Sequence, residues 1–531
     1  MSRSARLLAV AAMVVATVVT RPVFGQNADA ARTLVERAAE ALGGLERIRN
    51  IRNITLFGYG QYLYQFGGGN ITSSPYAPLK WQAANDLRRV YDLEHDRFLQ
   101  QERRNFLFPF AAPFGHSFAL NRLVLDGDVA FDVPENGAPR RIGDSGGGGV
   151  LQLDGPRMRR LWMMSNPVAA IRAALDPAAV LAPPRVEGPL AVVDIREKHG
   201  HRFSMAFDRL NVPAWVRWSN PHDNLGDVTF TTHLTGYAPY AGVKLPLGYT
   251  TRIDWRDLTY FSLSVDGYVV DGPVDDLAAP ADVRGAPEPM PQLGKIDAQK
   301  VADRVWRLTG GTMVFEFDDH LTLFELAGGP AGGQARIDFA ATLAPGKPVT
   351  ELILSHNHFD HITGIRAAVA NGLTIIARAG TESLLRELAV RPAPNYPDRL
   401  ARNPRPLKFI PVEERLRLQD RALTVDVYPI VANNHIAEGV FAFVPSSKVF
   451  VEGDIATAAE EWQFWADSYM DNVEHYKLDV EILAPVHARV MTHKEVLAYI
   501  APGRARVMQR CEEFRTRGDY LPGCPAFLPR R

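Results

Sequence analysis

The stretch ELILSHNHFDHITGIRAAVANG, Glu351 to Gly372, constrains this chain more than any other. ELILS is an apolar run of strand length. ITGIRAAVANG has apolar residues at helical spacing and closes on Gly372. A strand that turns straight into a helix belongs to an α/β arrangement, and such a turn can aim several side chains at one point. Four chemical groups crowd that turn: His356, His358, Asp360 and His361. Histidines this dense are rarely core filling. Imidazole nitrogens with a carboxylate are a ligand set suited to Zn2+. Adjacent Asp360 and His361 do not readily converge on the ion that His356 and His358 would hold. The natural arrangement is two ions side by side, with His356 and His358 on the first and Asp360 and His361 on the second.

Two ions need further donors, and later turns offer them. His435 lies in IVANNHIAEG, between strands. Asp454 ends the strand KVFVEGD, where Gly453 leaves room for close approach. His487 follows the apolar strand of ILAPVHARV. A single His or Asp at a strand end is more often a hydrogen-bonded structural residue. It is the combination that points to a site.

HNHFDH resembles the His-x-His-x-Asp-His signature of the metallo-β-lactamase fold superfamily, and the later residues match that family's remaining motifs in order. The resemblance covers about residues 295 to 500, including VWRLTGG, GKPVTELILSHNHFDHITGIR and NVEHYKLDVEILAPVHARV. It implies an αββα sandwich with the site along one sheet edge. It also implies that His356, His358 and His435 bind one metal, that Asp360, His361 and His487 bind another, and that Asp454 bridges them. Two departures stand out. Val486 and Ala488 flank His487 where many members have glycines, and a methyl group at 488 would tighten the approach to the second metal. The acidic residue usual near IDTG is replaced by FELAGG, with Glu325 the nearest carboxylate, which puts the fine geometry in doubt.

The chemistry expected is hydrolysis. A water shared by two zinc ions has its pKa lowered to about 7, so no serine or cysteine nucleophile is needed. One metal would polarise a carbonyl, the other would hold the leaving group, and Asp360 would orient the metal-bound hydroxide as the catalytic residue. The expectation is an exported dinuclear zinc hydrolase acting on a small-molecule ester, thioester, lactone, amide or lactam. By the resemblance, a bridging Asp454 is usual in thioesterases, lactonases and esterases, so a β-lactam is a second choice. The histidines argue against the family's diiron oxidoreductases, while a single-iron sulfur-oxidising relative is not separated by ligands alone. From a different class, the chain would be a lipid- or lipoprotein-binding protein with a structural metal domain.

A chain of 531 residues exceeds one ordinary core. Before the α/β half, residues 30 to 273 alternate apolar and polar positions in aromatic and β-branched stretches such as NITLFGYGQYLYQF and DVTFTTHLTGY. They read as a mainly antiparallel β domain with helices. The helical stretch PRMRRLWMMSNPVAAIRAAL breaks near Pro167, and its Met and Trp residues read as core. The order of ALGGLERIRNI, a strand, and a late GVKLPLGYTTRID resembles periplasmic lipoprotein-carrier sheets, which implies an acyl or lipid ligand. Residues 274 to 294, rich in Pro, Ala and Gly, read as a semi-rigid linker, and 501 to 531 as a C-terminal tail. SGGGGV, Ser145 to Val150, lacks the lysine of a phosphate loop.

Arg3 and Arg6 followed by the apolar run from Leu7 to Val19 read as a secretory leader cut after Gly25, which places the mature protein in the periplasm or outside the cell, with no transmembrane span. Cys511 and Cys524 would then either close a short loop or stay as two thiols. A net charge of −1 gives no basic stripe for nucleic acid.

Overall fold

The computed structural model describes residues 24–64, 72–77, 79–106, 120–135, 137–144, 155–289, 295–433, 435–456 and 467–517. Residues 1–23 of the leader, the SGGGGV loop and Cys524 lie outside these. Phe24 and Gly25 open the first helix, Phe24–Leu42. Cys511 lies in the last helix and is not a free thiol.

Among the described residues, the first half carries a fourteen-stranded sheet in which every neighbouring pair is antiparallel, with a separate two-stranded ribbon of Ala238–Tyr240 and Val243–Leu245. Its long central strands are Asn53–Leu63, Trp81–Asp92 and Leu258–Val270. DLRRVYDLEHDRF, which reads as one strand-like stretch, is split: Trp81–Asp92 ends, Asp96 takes a positive φ, and Arg97–Phe106 returns. Helices Gly155–Met163 and Pro167–Leu175 pack on one face. They part at Asn166, whose side chain caps the second helix through Val168 N and Ala169 N. Trp162 stands edge-on to Trp218 and Phe261, so these aromatic and Met positions are core. The described part of 274–294 lies against the other face. It holds a short helix, Ala281–Gly285, and buries Leu277 and Val283 on Val90, Leu99 and Val124.

The second half is the expected sandwich, and side-chain alternation shows its layers. Among the described residues, two sheets of seven and six strands face each other. Met313, Phe315, Val425, Val427, Val440 and Ala442 meet in the apolar layer between them. The alternate residues point outward. Val314, Leu321, Leu323 and Leu352 pack under helices Gly329–Leu343, Ile365–Asn371 and Glu382–Val390. Phe441, Phe443 and Phe450 pack under Asp467–His475 and His493–Thr516. That last helix begins with a capping box at Thr492 and runs to Thr516, so the stretch read as a tail is helical over its first part.

The two halves share a core. One continuous apolar cluster runs from the N-terminal sheet into the helical layer of the sandwich. Phe359, inside the HNHFDH motif, stands between Trp255 and His222 of the sheet. Asn224 Nδ2 donates to the Phe359 carbonyl at 3.1 Å. Arg256 pairs with Glu387 at 2.7 Å and Arg391 with Asp254 at 2.9 Å.

Candidate metal centre

Parallel pairing brings the predicted ligands to one edge. The strand Val349–Ile353 runs parallel to both of its neighbours and releases the chain at Ser355. In the facing sheet Val449–Glu452 and Ile482–Pro485 are also parallel, so Asp454 and His487 leave from the same end. The two edges are stitched together by Val440 N, which donates to Ser355 O at 2.6 Å. The motif turn closes through His361 N to His358 O, and Gly372, in the left-handed region, ends the following helix. The loop carrying His435 is held by Asn433, whose Oδ1 accepts from His435 N at 2.7 Å. A Cβ at Gly453 would lie 2.4 Å from Ser355 Oγ and 2.8 Å from Glu325 Oε1, so only glycine lets these two edges meet.

The seven side chains form two adjoining groups. In the first, donor atoms of His356, His358, His435 and Asp454 lie within 4.8 Å of one another, and in the second so do those of Asp360, His361 and His487. Asp454 faces both. Its Oδ2 lies 2.9 Å from His435 Nε2, 3.6 Å from His356 Nε2 and 3.3 Å from His361 Nε2. Its Oδ1 is 3.6 Å from His487 Nε2.

Hydrogen bonds behind the rings decide which nitrogens face inward. Glu325 is buried and both of its carboxylate oxygens stand 2.9 Å from His361 Nδ1. That nitrogen must carry the proton, so in the neutral ring it is Nε2 that is bare toward the cluster. Ser355 Oγ donates to Glu325 in a short bond and lies 2.8 Å from His356 Nδ1. Having given up its one proton, Ser355 must accept from His356, whose Nε2 is then also bare. Glu325 reaches this position with a φ of 54°, a strained conformation for a side chain of its size. The departure at FELAGG therefore still supplies a carboxylate that aligns His361 directly and His356 through Ser355.

The arrangement fits cations. His356 Nε2 stands 2.8 Å from His358 Nδ1, and His361 Nε2 stands 3.0 Å from His487 Nε2. Lone pairs this close need a proton or a metal between them. Asp360 Oδ1 is buried with no hydrogen-bond partner among the described residues. Burial, and then the charges of the neighbouring histidines, hold His356 and His358 well below the usual imidazole range and so in the neutral form that binds metal. At His361 burial is outweighed by the carboxylates of Glu325, Asp360 and Asp454, which raise it well above that range. At His487 burial is outweighed by the hydrogen bond to Asp360, so it too is raised. At Asp454 burial is outweighed chiefly by His361, and the carboxyl falls well below its usual range. The cluster thus attracts positive charge to the point where Asp454 faces both groups.

His487 is the open member, with a side chain 43% exposed against 0% for His356 and His361. Arg307 fastens its loop through the carbonyls of Pro485, Val486 and Ala488. Ala488 packs against the apolar cluster that holds Met491 and Val496. Beside His358 an apolar pocket opens between sheet and sandwich, with Phe359 in its wall. Ser355, Asn433 and Arg307 carry no motif that would have marked them in the sequence.

No family model matches this chain. No curated protein matches it either. Solved structures do. A metallo-β-lactamase from Pontibacter korlensis is 14% identical over 39% of this chain and 98% of its own, with a TM-score of 0.30. One from Hirschia baltica is 14% identical over 39% and 96%, at 0.30. The inverting sec-alkylsulfatase Pisa1 from Pseudomonas sp. is 16% identical over 42% and 44%, at 0.31.

Proposed function

We propose that this chain, whose second half has the metallo-β-lactamase fold, is an exported dinuclear zinc hydrolase cleaving an ester, thioester, lactone or lactam. The observation that carries the reading is Asp454, with one carboxylate turned toward both donor groups. Five imidazoles and two carboxylates without a thiolate suit zinc. His356, His358 and His435 would hold one ion, Asp360, His361 and His487 the other, and Asp454 both. Zinc bound there would supply Lewis-acid polarisation of the substrate carbonyl and an acidified water.

The protein's own groups do the rest. Glu325 and Ser355 fix the tautomers of His361 and His356, so the donors are set before substrate arrives. Asp360 Oδ1 is the acceptor that orients the attacking water. Water adds to the carbonyl, the acyl bond breaks, and the leaving group takes the proton. The exposed side of His487 leaves a route in from solvent. The leader read at 1–25 supports export to the periplasm or beyond. The test is zinc analysis of the mature protein with a panel of lactone, thioester, aryl ester and β-lactam substrates. Turnover that is lost to a chelator and restored by zinc supports the reading. A zinc-loaded protein inert toward every class contradicts it.

A further inference from the structure

The pocket beside His358 is made by both halves of the chain. Leu63, Leu79, Trp255 and Leu258 come from the N-terminal half, and Phe359 and Leu384 from the sandwich. Ser73 is also in the wall. Its Oγ stands 2.7 Å from Gly380 O and 3.2 Å from Glu438 Oε2. Glu438 follows His435 on the same loop, so the N-terminal half is tied directly to the rim of the metal centre.

The corner that carries Trp255 is strained. Arg256 and Asp257 take φ of 52° and 50°, a costly conformation for residues with side chains. Contacts on both sides of Arg256 hold it: the guanidinium pairs with Glu387 of the sandwich at 2.7 Å and lies over the Trp255 ring at 4.7 Å. The Trp255 ring is thereby set beside Phe359, with centroids 5.3 Å apart. Among the described lining residues Arg256 is the one Lys, Arg, Asp or Glu, and its charge is already matched by Glu387. The chamber is mainly leucine and aromatic ring.

Its position gives it an occupant. Asn357, His358 and Phe359 are consecutive in the wall, so one side of the pocket is the motif turn itself. A molecule seated there lies against a member of the first donor group, while the exposed His487 belongs to the second.

Building on the hydrolase reading, we propose that this pocket is the acyl site, and that the N-terminal sheet sets the enzyme's preference for acyl chain length. The uncharged hydrocarbon arm of the substrate lies between Trp255, Phe359 and the leucines, and the leaving group stays on the open side at His487. The substrate class is an ester, thioester or lactone with an unbranched hydrocarbon arm on its carbonyl carbon. Each methylene that moves from water into such a wall is worth about fourfold in affinity. A charge at the end of the arm would lose its hydration without gaining a counter-ion, since Arg256 already has one.

Two measurements test this on the full-length zinc-loaded chain. The first needs no turnover. Butanol, pentanol and hexanol are titrated by calorimetry into the wild type and into Leu258→Trp and Leu79→Trp, which fill the pocket from half-buried wall positions. The wild type should gain about fourfold per methylene, and the ω-amino derivative of hexanol should bind about tenfold or more below hexanol. Both variants should lose most of the gain. Equal affinity for the alcohols, or the same gain in the wild type and both variants, overturns the assignment. The second compares p-nitrophenyl acetate, butyrate and hexanoate with the esters of ω-aminohexanoate and of adipate. The ratio kcat/KM should rise along the hydrocarbon series and fall for either charged end, and Leu258→Trp should shrink the advantage of hexanoate over acetate. A charged end preferred to hexanoate overturns the proposal. If the alcohols bind as expected and no ester is cleaved, the pocket stands and the hydrolase reading fails. If acetate is cleaved as well as hexanoate, the hydrolase reading stands and the acyl site fails.

Discussion

Glu325→Gln is the sharpest perturbation of the ligand geometry, because it changes one charge and almost no volume. Glu325 accepts from two donors, His361 Nδ1 at 2.9 Å and the hydroxyl of Ser355. An amide offers one accepting oxygen and one donating nitrogen, so it cannot satisfy both. If its oxygen stays on His361, its NH2 group must donate to Ser355 Oγ. Ser355 then turns its own proton onto His356 Nδ1, 2.8 Å away. His356 is forced into the tautomer with a proton on Nε2, the atom that faces the cluster. If the amide is flipped instead, His361 loses its acceptor and its orientation. Either way one ion loses a well-aligned donor, and the lost negative charge weakens both ions. Partners of metal-binding histidines are typically worth about 10- to 100-fold in metal affinity. The expected result is a drop of that size in zinc affinity, measured by chelator competition at pH 7, with a fold intact by circular dichroism. Unchanged zinc affinity with only a lowered Tm would refute the tautomer argument.

Two further outcomes follow from the contact between the halves. Phe359→Ala removes the ring held between Trp255 and His222, and should cost about 3–5 kcal/mol in chemical denaturation as well as activity; a loss under about 1 kcal/mol would show that the shared core is not cooperative. Asp223 faces Gly329 at the start of a sandwich helix, and burial pushes its carboxyl up to about 7. Between about pH 4 and 7 the folded form holds a proton that the unfolded form has released, so stability falls as pH rises through that window, by at most about 4 kcal/mol. Asp223→Asn should raise Tm at pH 8 and leave it unchanged at pH 4, and a parallel shift at both values would contradict this.

The gathering of these His and Asp side chains was legible because it is local chemistry at strand ends. HNHFDH sits within one turn, and Asp454 and His487 each follow an apolar strand. The glycines were legible for the same reason: Gly372 ends a helix and Gly453 admits Ser355. Glu325 was visible only as a departure from a motif, since its role depends on a strained backbone and a hydroxyl thirty residues away. The sheet's share of the pocket beside His358, Leu63, Trp255 and Leu258, could not be found by spacing, because a separate sheet docks there through Phe359, a motif position that a signature leaves open. Within the stretch read as a linker, Leu277 and Val283 pack on Val90, Leu99 and Val124 of the sheet, a contact that composition does not reveal.

The central claim is that one carboxylate, Asp454, joins two zinc ions. The most direct measurement is zinc per folded chain, by mass spectrometry under native conditions and by elemental analysis, for the wild type and for Asp454→Ala. Removing that side chain takes a donor from each ion and leaves two dications roughly 3.5–4 Å apart with less charge between them. The ion on Asp360, His361 and the exposed His487 should leave first. The account predicts two zinc ions per wild-type chain and one in the variant, with hydrolysis falling steeply. Two zinc ions and full turnover in Asp454→Ala would contradict it.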